Sequence, residues 1–96
     1  MKPSVALEKN RFAIREVIRR FHTTNPRVFG SVLHGEDEEG SDLDLLVDPT
    51  SKTTMMDIGA IRYELRCLLG IEVDVLTPKA LPDSFRDQVL AEAVPV

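Results

Sequence analysis

The run DLDLLVD at residues 42–48 constrains the fold of this chain more than any other segment. Because side chains alternate between the two faces of a β-strand, Leu43 and Leu45 would lie on one face and Asp42 and Asp44 on the other. Two carboxylates held this close together hinder each other's ionisation unless a cation neutralises them. The run therefore predicts a strand with one buried face and one open face, whose acids would bind a divalent metal ion such as Mg²⁺.

The segment IEVDVLTP at residues 71–78 predicts another strand of this kind. Its central carboxylate, Asp74, is flanked by valines in a β-branched stretch. If the two strands are neighbours in the sheet, Asp74 joins Asp42 and Asp44 in a cluster of three acids. Such a cluster suits two metal ions, which stabilise the attacking and leaving oxygens of a phosphoryl-type displacement.

A Gly-Ser turn, Gly30 and Ser31, ends the short strand predicted at RVFGS. Glycine permits close approach of the backbone, and a serine hydroxyl beside free backbone N–H groups can hold phosphate oxygens. The P-loop pattern G-x-x-x-x-G-K-[ST] is absent from the chain. The turn therefore indicates a phosphate-binding loop of another kind, next to the predicted metal site.

Amphipathic segments predict helices before and after these strands along the chain. Apolar residues at three- and four-residue spacings indicate one helix over residues 4–22. A second helix covers residues 53–70, with Thr53 or Thr54 as its cap and Gly70 as its stop. Three side chains of this second helix are expected to pack inside the protein: Met55, Met56 and Cys67.

The last predicted helix opens at Pro82 and runs to about Ala93, with Phe85, Val89 and Leu90 docking it on the core. Helices and strands thus alternate along the chain without an internal repeat or a low-complexity linker. This order predicts an α+β (mixed α/β) fold in a single domain over residues 1–96.

Charge and hydropathy narrow the classes of partner. A formal net charge of -4 and a pI near 5.1 argue against non-specific binding to nucleic acid or to an anionic membrane, both of which need a basic face. Charges interrupt every apolar stretch of the N-terminal segment MKPSVALEKNRF, so it lacks the core of a signal peptide. The expected compartment is the cytoplasm.

The spacing of the acids and the Gly-Ser turn resembles the signature of the DNA polymerase β-type nucleotidyltransferase superfamily. Gly30-Ser31, the intervening residues 32–41, Asp42-x-Asp44 and a later strand residue, Asp74, follow the order of that signature. The small size and the sequence GSDLDLLVD narrow the resemblance to the minimal nucleotidyltransferases. It covers nearly the whole chain, from the first helix through ALPDSFRDQVLAEAV.

The resemblance implies a mixed sheet flanked by helices and the transfer of a nucleoside monophosphate to an acceptor hydroxyl. It implies that Gly30 and Ser31 bind the triphosphate of ATP. It also implies that Asp42 and Asp44 hold Mg²⁺, with two ions expected, and that Asp74 is the third catalytic acid and metal ligand. Many minimal members resemble antitoxins that adenylylate a tyrosine of a HEPN-domain RNase toxin, so a HEPN toxin is the implied partner.

One position departs from the family pattern. Members commonly read Gly-Ser-Arg-x-x-Gly, whereas Val32 follows Ser31 here and only His34 offers a basic side chain before Gly35. The missing arginine removes a bidentate contact to phosphate oxygens. Two alternatives therefore stay open: an antitoxin that neutralises its toxin by binding alone, and a small-molecule adenylyltransferase, for which little chain remains to build an acceptor pocket.

Overall fold

A four-stranded mixed sheet forms the centre of the protein, in a computed structural model that describes residues 1–96. The strands in chain order are β1 at Thr23–Phe29, β2 at Leu43–Pro49, β3 at Val73–Leu76 and β4 at Val94–Pro95. Their spatial order is β3-β2-β1-β4; β1 is antiparallel to β2 and β4, and β2 is parallel to β3. The predicted α+β fold with a small mixed sheet is confirmed.

The helices are α1 at Pro3–Lys9, α2 at Arg11–Arg20, α3 at Met55–Leu69 and α4 at Arg86–Glu92, with a 3₁₀ turn at Pro78–Ala80. The helix α2 packs on β1, and α3 packs on β3. Their apolar faces share one core with the alternate β2 residues Leu43, Leu45 and Val47. Leu46 points to the opposite face of the sheet, where it is fully buried and the 3₁₀ turn contacts β2. None of the helices has the length and apolarity needed to cross a membrane.

The ends of α3 agree with the sequence prediction. Thr54 accepts a hydrogen bond from the Asp57 backbone N–H, and the Asp57 side chain accepts one from the Thr54 backbone, which forms a capping box. Gly70 ends the helix in the left-handed conformation at φ 69°. The predicted packing of Met55, Met56 and Cys67 inside the protein is wrong. These side chains lie off the buried stripe of α3, which consists of Ile61, Leu65 and Leu69. Cys67 is exposed, and Met55 and Met56 are 92% and 84% exposed.

The single helix predicted over residues 4–22 is wrong, because the chain breaks at Asn10. This residue lies at φ -131°, outside the helical region, and its side-chain amide donates a hydrogen bond to the Ala6 carbonyl at 2.9 Å. Asparagine side chains compete with the backbone for such carbonyls and so favour helix ends. Two short helices, α1 and α2, result.

The strand β1 begins earlier than the sequence indicates. Thr23 and Thr24, which precede the strand predicted at RVFGS, already pair with the end of β2. The pairing shifts register between Thr24 and Arg27, and the intervening Asn25 has a positive φ of 53°. This irregularity accommodates a proline inside a strand, where its missing N–H would otherwise interrupt the ladder.

The last helix, α4, is shorter than predicted and does not dock through a buried apolar face. No α4 residue is buried, and Phe85 and Leu90 are 42% and 38% exposed. Arg86 holds its N-terminal end by donating hydrogen bonds to the carbonyls of Pro78 and Leu81 at 2.8 and 2.6 Å. Polar contacts therefore replace the expected apolar docking of this helix.

Candidate active site

Parallel pairing of β2 and β3 brings the predicted acids to one edge of the sheet. Asp44 and Asp74 are direct partners in the register, so their side chains lie side by side. Asp42 immediately precedes β2 and is exposed, as is Asp74, whereas Asp44 is half-buried. The neighbour relation on which the sequence prediction depended is present.

The backbone of Gly30 closes against the Asp44 carboxylate. Phe29, the last residue of β1, pairs with Asp44, and the chain turns at Gly30 with φ at 73°. A Cβ atom added to Gly30 would lie 2.3 Å from Oδ2 of Asp44, closer than real Cβ contacts. Both the dihedral angle and this contact require glycine. The Gly-Ser turn and the acids therefore belong to one site.

The turn that follows Gly30 presents free backbone donors. The His34 N–H donates to the Gly30 carbonyl at 3.2 Å, and the Glu36 N–H donates to the Ser31 carbonyl at 2.8 Å. The N–H groups of Ser31, Val32 and Leu33 have no acceptor in the protein. Consecutive free N–H groups of this kind form an anion-binding concavity, which is the chemistry that a nucleotide phosphate needs.

Burial and like charges set the protonation of Asp44. Its pKa is raised to about 6, first by burial and then by the charges of Asp74 and Asp42. Both causes disfavour a negative charge on Asp44, and a bound cation would reverse their effect. The electrostatics of this edge therefore favour a cation.

The donor set fits Mg²⁺, which prefers carboxylate oxygens together with substrate phosphates. No group of three or more His, Cys, Asp or Glu side chains is arranged to hold a metal ion. The acids Asp42, Asp44 and Asp74 share one edge and repel each other, but their oxygens are not gathered around one point. Phosphate oxygens and water would supply the remaining ligands of an ion at this edge.

The acidic loop EDEE at residues 36–39 contains one buried side chain. Asp37 is 8% exposed and accepts a hydrogen bond from the Ser4 backbone N–H at 2.8 Å. This hydrogen bond lowers the pKa of Asp37 below its usual range. Because α1 has no side-chain cap of its own, Asp37 supplies that acceptor from a distant segment and fixes the loop that leads to Asp42.

A contact between the His34 imidazole of the turn and the Glu92 carboxylate of α4 was not predicted from the sequence. His34 Nε2 lies 3.2 Å from Oε2 of Glu92. The contact depends on the path of the chain from β3 across the sheet to β4. A sequence pattern carries no signal for such a pairing between distant segments.

A cavity of about 590 Å³ is lined by none of the three acids. Two of its lining groups are basic, and both are already paired: the Met1 ammonium with Glu39 at 2.7 Å and Arg66 with Glu72 at 2.9 Å. An anionic ligand would have to displace a carboxylate there. We therefore place the candidate active site at the Gly-Ser turn rather than in this cavity.

Comparisons with known proteins match this geometry. The family model of the nucleotidyltransferase domain matches residues 13–96. A protein of Methanocaldococcus jannaschii named "Putative protein adenylyltransferase MJ0435" is 41% identical over 69 residues, 72% of this chain and 74% of that protein. The protein adenylyltransferase MntA of Thermococcus cleftensis is 34% identical over 80 residues, 83% of this chain and 81% of that protein.

Solved structures share the fold. A chain described as a "putative minimal nucleotidyltransferase" superposes with a TM-score of 0.87 at 38% identity, covering 100% of this chain and 97% of that chain. A toxin-antitoxin structure with AMP-PNP superposes with a TM-score of 0.75 at 19% identity, covering 90% and 71%. The toxin-antitoxin MntA-HepT superposes with a TM-score of 0.67 at 17% identity, covering 92% and 69%.

Proposed function

Because this chain belongs to the nucleotidyltransferase domain family and is a minimal nucleotidyltransferase enzyme, we propose that it is an antitoxin that adenylylates its toxin. It transfers AMP from Mg-ATP to a tyrosine hydroxyl of a HEPN-domain RNase. The close approach of Gly30 to Asp44 is the observation that supports this best, since it joins a phosphate-binding turn to a carboxylate. The names of the related protein adenylyltransferases support a protein as the acceptor.

The turn binds and orients the triphosphate in this proposal. The Ser31 hydroxyl and the free N–H groups of Ser31, Val32 and Leu33 donate to phosphate oxygens. Asp42, Asp44 and Asp74 would hold two Mg²⁺ ions, which supply charge stabilisation for phosphoryl-type transfer. The positions of Asp42 before β2 and of Asp74 opposite Asp44 support this assignment.

We assign Asp74 the role of activating the acceptor hydroxyl. As the proton of the tyrosine hydroxyl leaves toward the Asp74 carboxylate, the tyrosine oxygen forms a bond to the α-phosphorus of ATP. The bond from that phosphorus to the bridging oxygen of the β-phosphate breaks, and pyrophosphate leaves. Asp74 is exposed at the edge strand β3, which supports its access to a protein acceptor.

Adenylylation would inactivate the toxin by charge and bulk. An AMP group on a tyrosine near the active site of an RNase adds a negative phosphate close to the path of the RNA. Like charges on the modified toxin and the RNA backbone then weaken RNA binding.

Intact mass spectrometry of the toxin tests the proposal. The candidate HEPN toxin is co-expressed with this chain and incubated with Mg-ATP, and we expect a gain of one or more AMP masses. The double variant D42N/D44N should give no gain while its thermal unfolding remains cooperative. The variant D87N, which changes an exposed carboxylate of α4, is the matched control and should transfer AMP normally.

A second candidate, neutralisation by binding alone, is favoured by Val32 at the position of the family arginine and by carboxylates that are not gathered around one point. The same experiment separates the two functions. A stable complex without any mass gain, formed equally by the unchanged chain and by D42N/D44N, would establish the binding function and refute AMP transfer. Transfer retained by D42N/D44N would refute the assigned acids.

A further inference from the structure

The side chain of His34 is already engaged by a carboxylate of the same chain. Its Nε2 atom lies 3.2 Å from Oε2 of Glu92, at the end of α4. Gln88 donates a hydrogen bond to the other carboxylate oxygen of Glu92 at 3.2 Å, which fixes the direction of that group. Both partners are partly exposed, at 46% and 38%, so a solute can reach the pair.

His34 belongs to the turn that we assign to phosphate binding. Its backbone N–H donates to the Gly30 carbonyl, so one helical turn separates Gly30 from His34. Ser31 and His34 are three residues apart in this turn, a spacing at which side chains share a face where the backbone is helical. His34 is therefore the side chain of the turn that can add a strong donor to its backbone N–H groups.

Arg86, at the start of α4, is not free to act as such a donor. Arg86 donates to the carbonyls of Pro78 and Leu81 and pairs with Asp83 at 2.5 Å. Its guanidinium is thus committed to holding the 3₁₀ turn and α4 together. The turn depends on His34 for a further phosphate contact, and Glu92 occupies it.

We propose that Glu92 competes with the nucleotide for His34 and thereby sets the affinity of the turn for the triphosphate. This inference rests on the proposed function, because it takes the Gly-Ser turn as the phosphate site. Binding of Mg-ATP exchanges the Glu92 carboxylate for a phosphate oxygen at Nε2 of His34. The C-terminal end of α4 is released from the turn in that exchange.

Glu92→Gln should therefore tighten the binding of Mg-ATP. Glutamine keeps the shape of the side chain but removes the charge that competes with phosphate. We expect a decrease of about threefold in Kd, the size that corresponds to one exposed polar contact. A merely structural role of Glu92 predicts the same change in Kd whether or not His34 is present.

Isothermal titration with Mg-ATP on the variants E92Q, H34A and H34A/E92Q tests this exchange. In the H34A background, E92Q should give no gain, because the competition acts through His34. The control E64Q removes a similarly exposed glutamate from its pair with Arg20, on the α2 and α3 side of the sheet, and should leave Kd unchanged.

An unchanged or weaker affinity in E92Q, or an equal gain in E64Q or in the H34A background, would overturn the competition. The proposed function would survive those results as long as the unchanged chain binds Mg-ATP. If neither the unchanged chain nor E92Q binds Mg-ATP, both the competition and the proposed function are wrong.

Discussion

The backbone at Gly30 lies so close to Asp44 that a residue with a side chain does not fit there. In Gly30→Ala, the new Cβ would meet Oδ2 at 2.3 Å, and φ at 73° is strained for any L residue. The turn and the carboxylate must move apart, and a displacement of about 1 Å costs about 100-fold in a positioned reaction. We expect at least that loss in the initial rate of AMP transfer, measured by mass spectrometry of the acceptor.

Gly70→Ala separates the strain of the dihedral angle from the clash. Gly70 has φ at 69°, but a Cβ there meets nothing within 4 Å. Gly70→Ala should lower the free energy of unfolding by about 1 kcal/mol, the cost of placing alanine in the left-handed conformation, and should leave the transfer rate unchanged. Equal transfer by the two variants would show that the contact between Gly30 and Asp44 has no part in the reaction.

The acids Asp42, Asp44 and Asp74 could be predicted from the sequence because strand periodicity fixes which side chains share a face. Gly30 and Ser31 were predicted separately, as a turn that ends a strand. The catalytic and binding roles of these residues remain predictions. The sequence did not predict the contact between Gly30 and Asp44 in detail, nor the pairing of His34 with Glu92. Those contacts depend on how distant segments cross, which local residue patterns do not encode.

The first turn of α3 depends on a reciprocal pair of hydrogen bonds between Thr54 and Asp57. Thr54→Ala removes the side-chain oxygen that accepts from the Asp57 N–H at 3.2 Å, and this donor keeps only the Thr54 carbonyl at 3.1 Å. We expect the free energy of unfolding to fall by about 1 kcal/mol in urea titrations followed by circular dichroism. AMP transfer at a temperature well below the unfolding midpoint should not change.

Two further variants control for this helix cap. Thr54→Ser keeps the accepting oxygen and should retain the stability of the unchanged chain. Ser51→Ala changes an exposed hydroxyl just before the helix and should be neutral. If T54S is as unstable as T54A, packing of the threonine methyl group rather than capping stabilises this end.

Elements whose ends are marked by local chemistry could be predicted, and the others could not. Helix α3 begins after Thr54 and ends at Gly70 as expected. Burial in β2 alternates from Leu43 to Leu45 as predicted, whereas Leu46 is buried on the second face as well. The break at Asn10 was missed, because the apolar spacing continues through it while one side-chain hydrogen bond ends α1. The exposure of α4 was missed because its apolar residues resemble a core face, although Arg86 supplies the attachment.

In the whole molecule, the main core lies on one face of the sheet and the candidate site on the other. Helices α2 and α3 cover one face and bury the alternate residues of β2 in the core. The acids occupy the other face, where the protein places charge close to buried surface. Such an arrangement lowers the stability of the metal-free protein, and that cost is measurable through its pH dependence.

Replacement of Asp44 by asparagine should therefore stabilise the metal-free protein. The pKa of Asp44 is raised from 3.8 to about 6 in the folded state, so the folded state binds more protons than the unfolded state between those values. The free energy of unfolding is therefore not reduced by Asp44 below the lower value. It falls as pH rises from the lower value through the upper one. At about pH 7.5, D44N should gain about 1 to 2 kcal/mol in free energy of unfolding, after allowing for solvent screening.

The pH profile distinguishes this charge effect from a packing effect. In urea titrations without divalent cations, the gain of D44N should fall to near zero at about pH 4, where Asp44 is increasingly protonated in both states. The exposed carboxylate of Asp87 gives the control, and D87N should show no comparable gain that vanishes in acid. A gain for D44N that is equal at both pH values would mean that asparagine packs better, not that the clustered acids destabilise the fold. Because the proposed reaction needs these acids and stability opposes them, D44N should be both the more stable and the inactive protein.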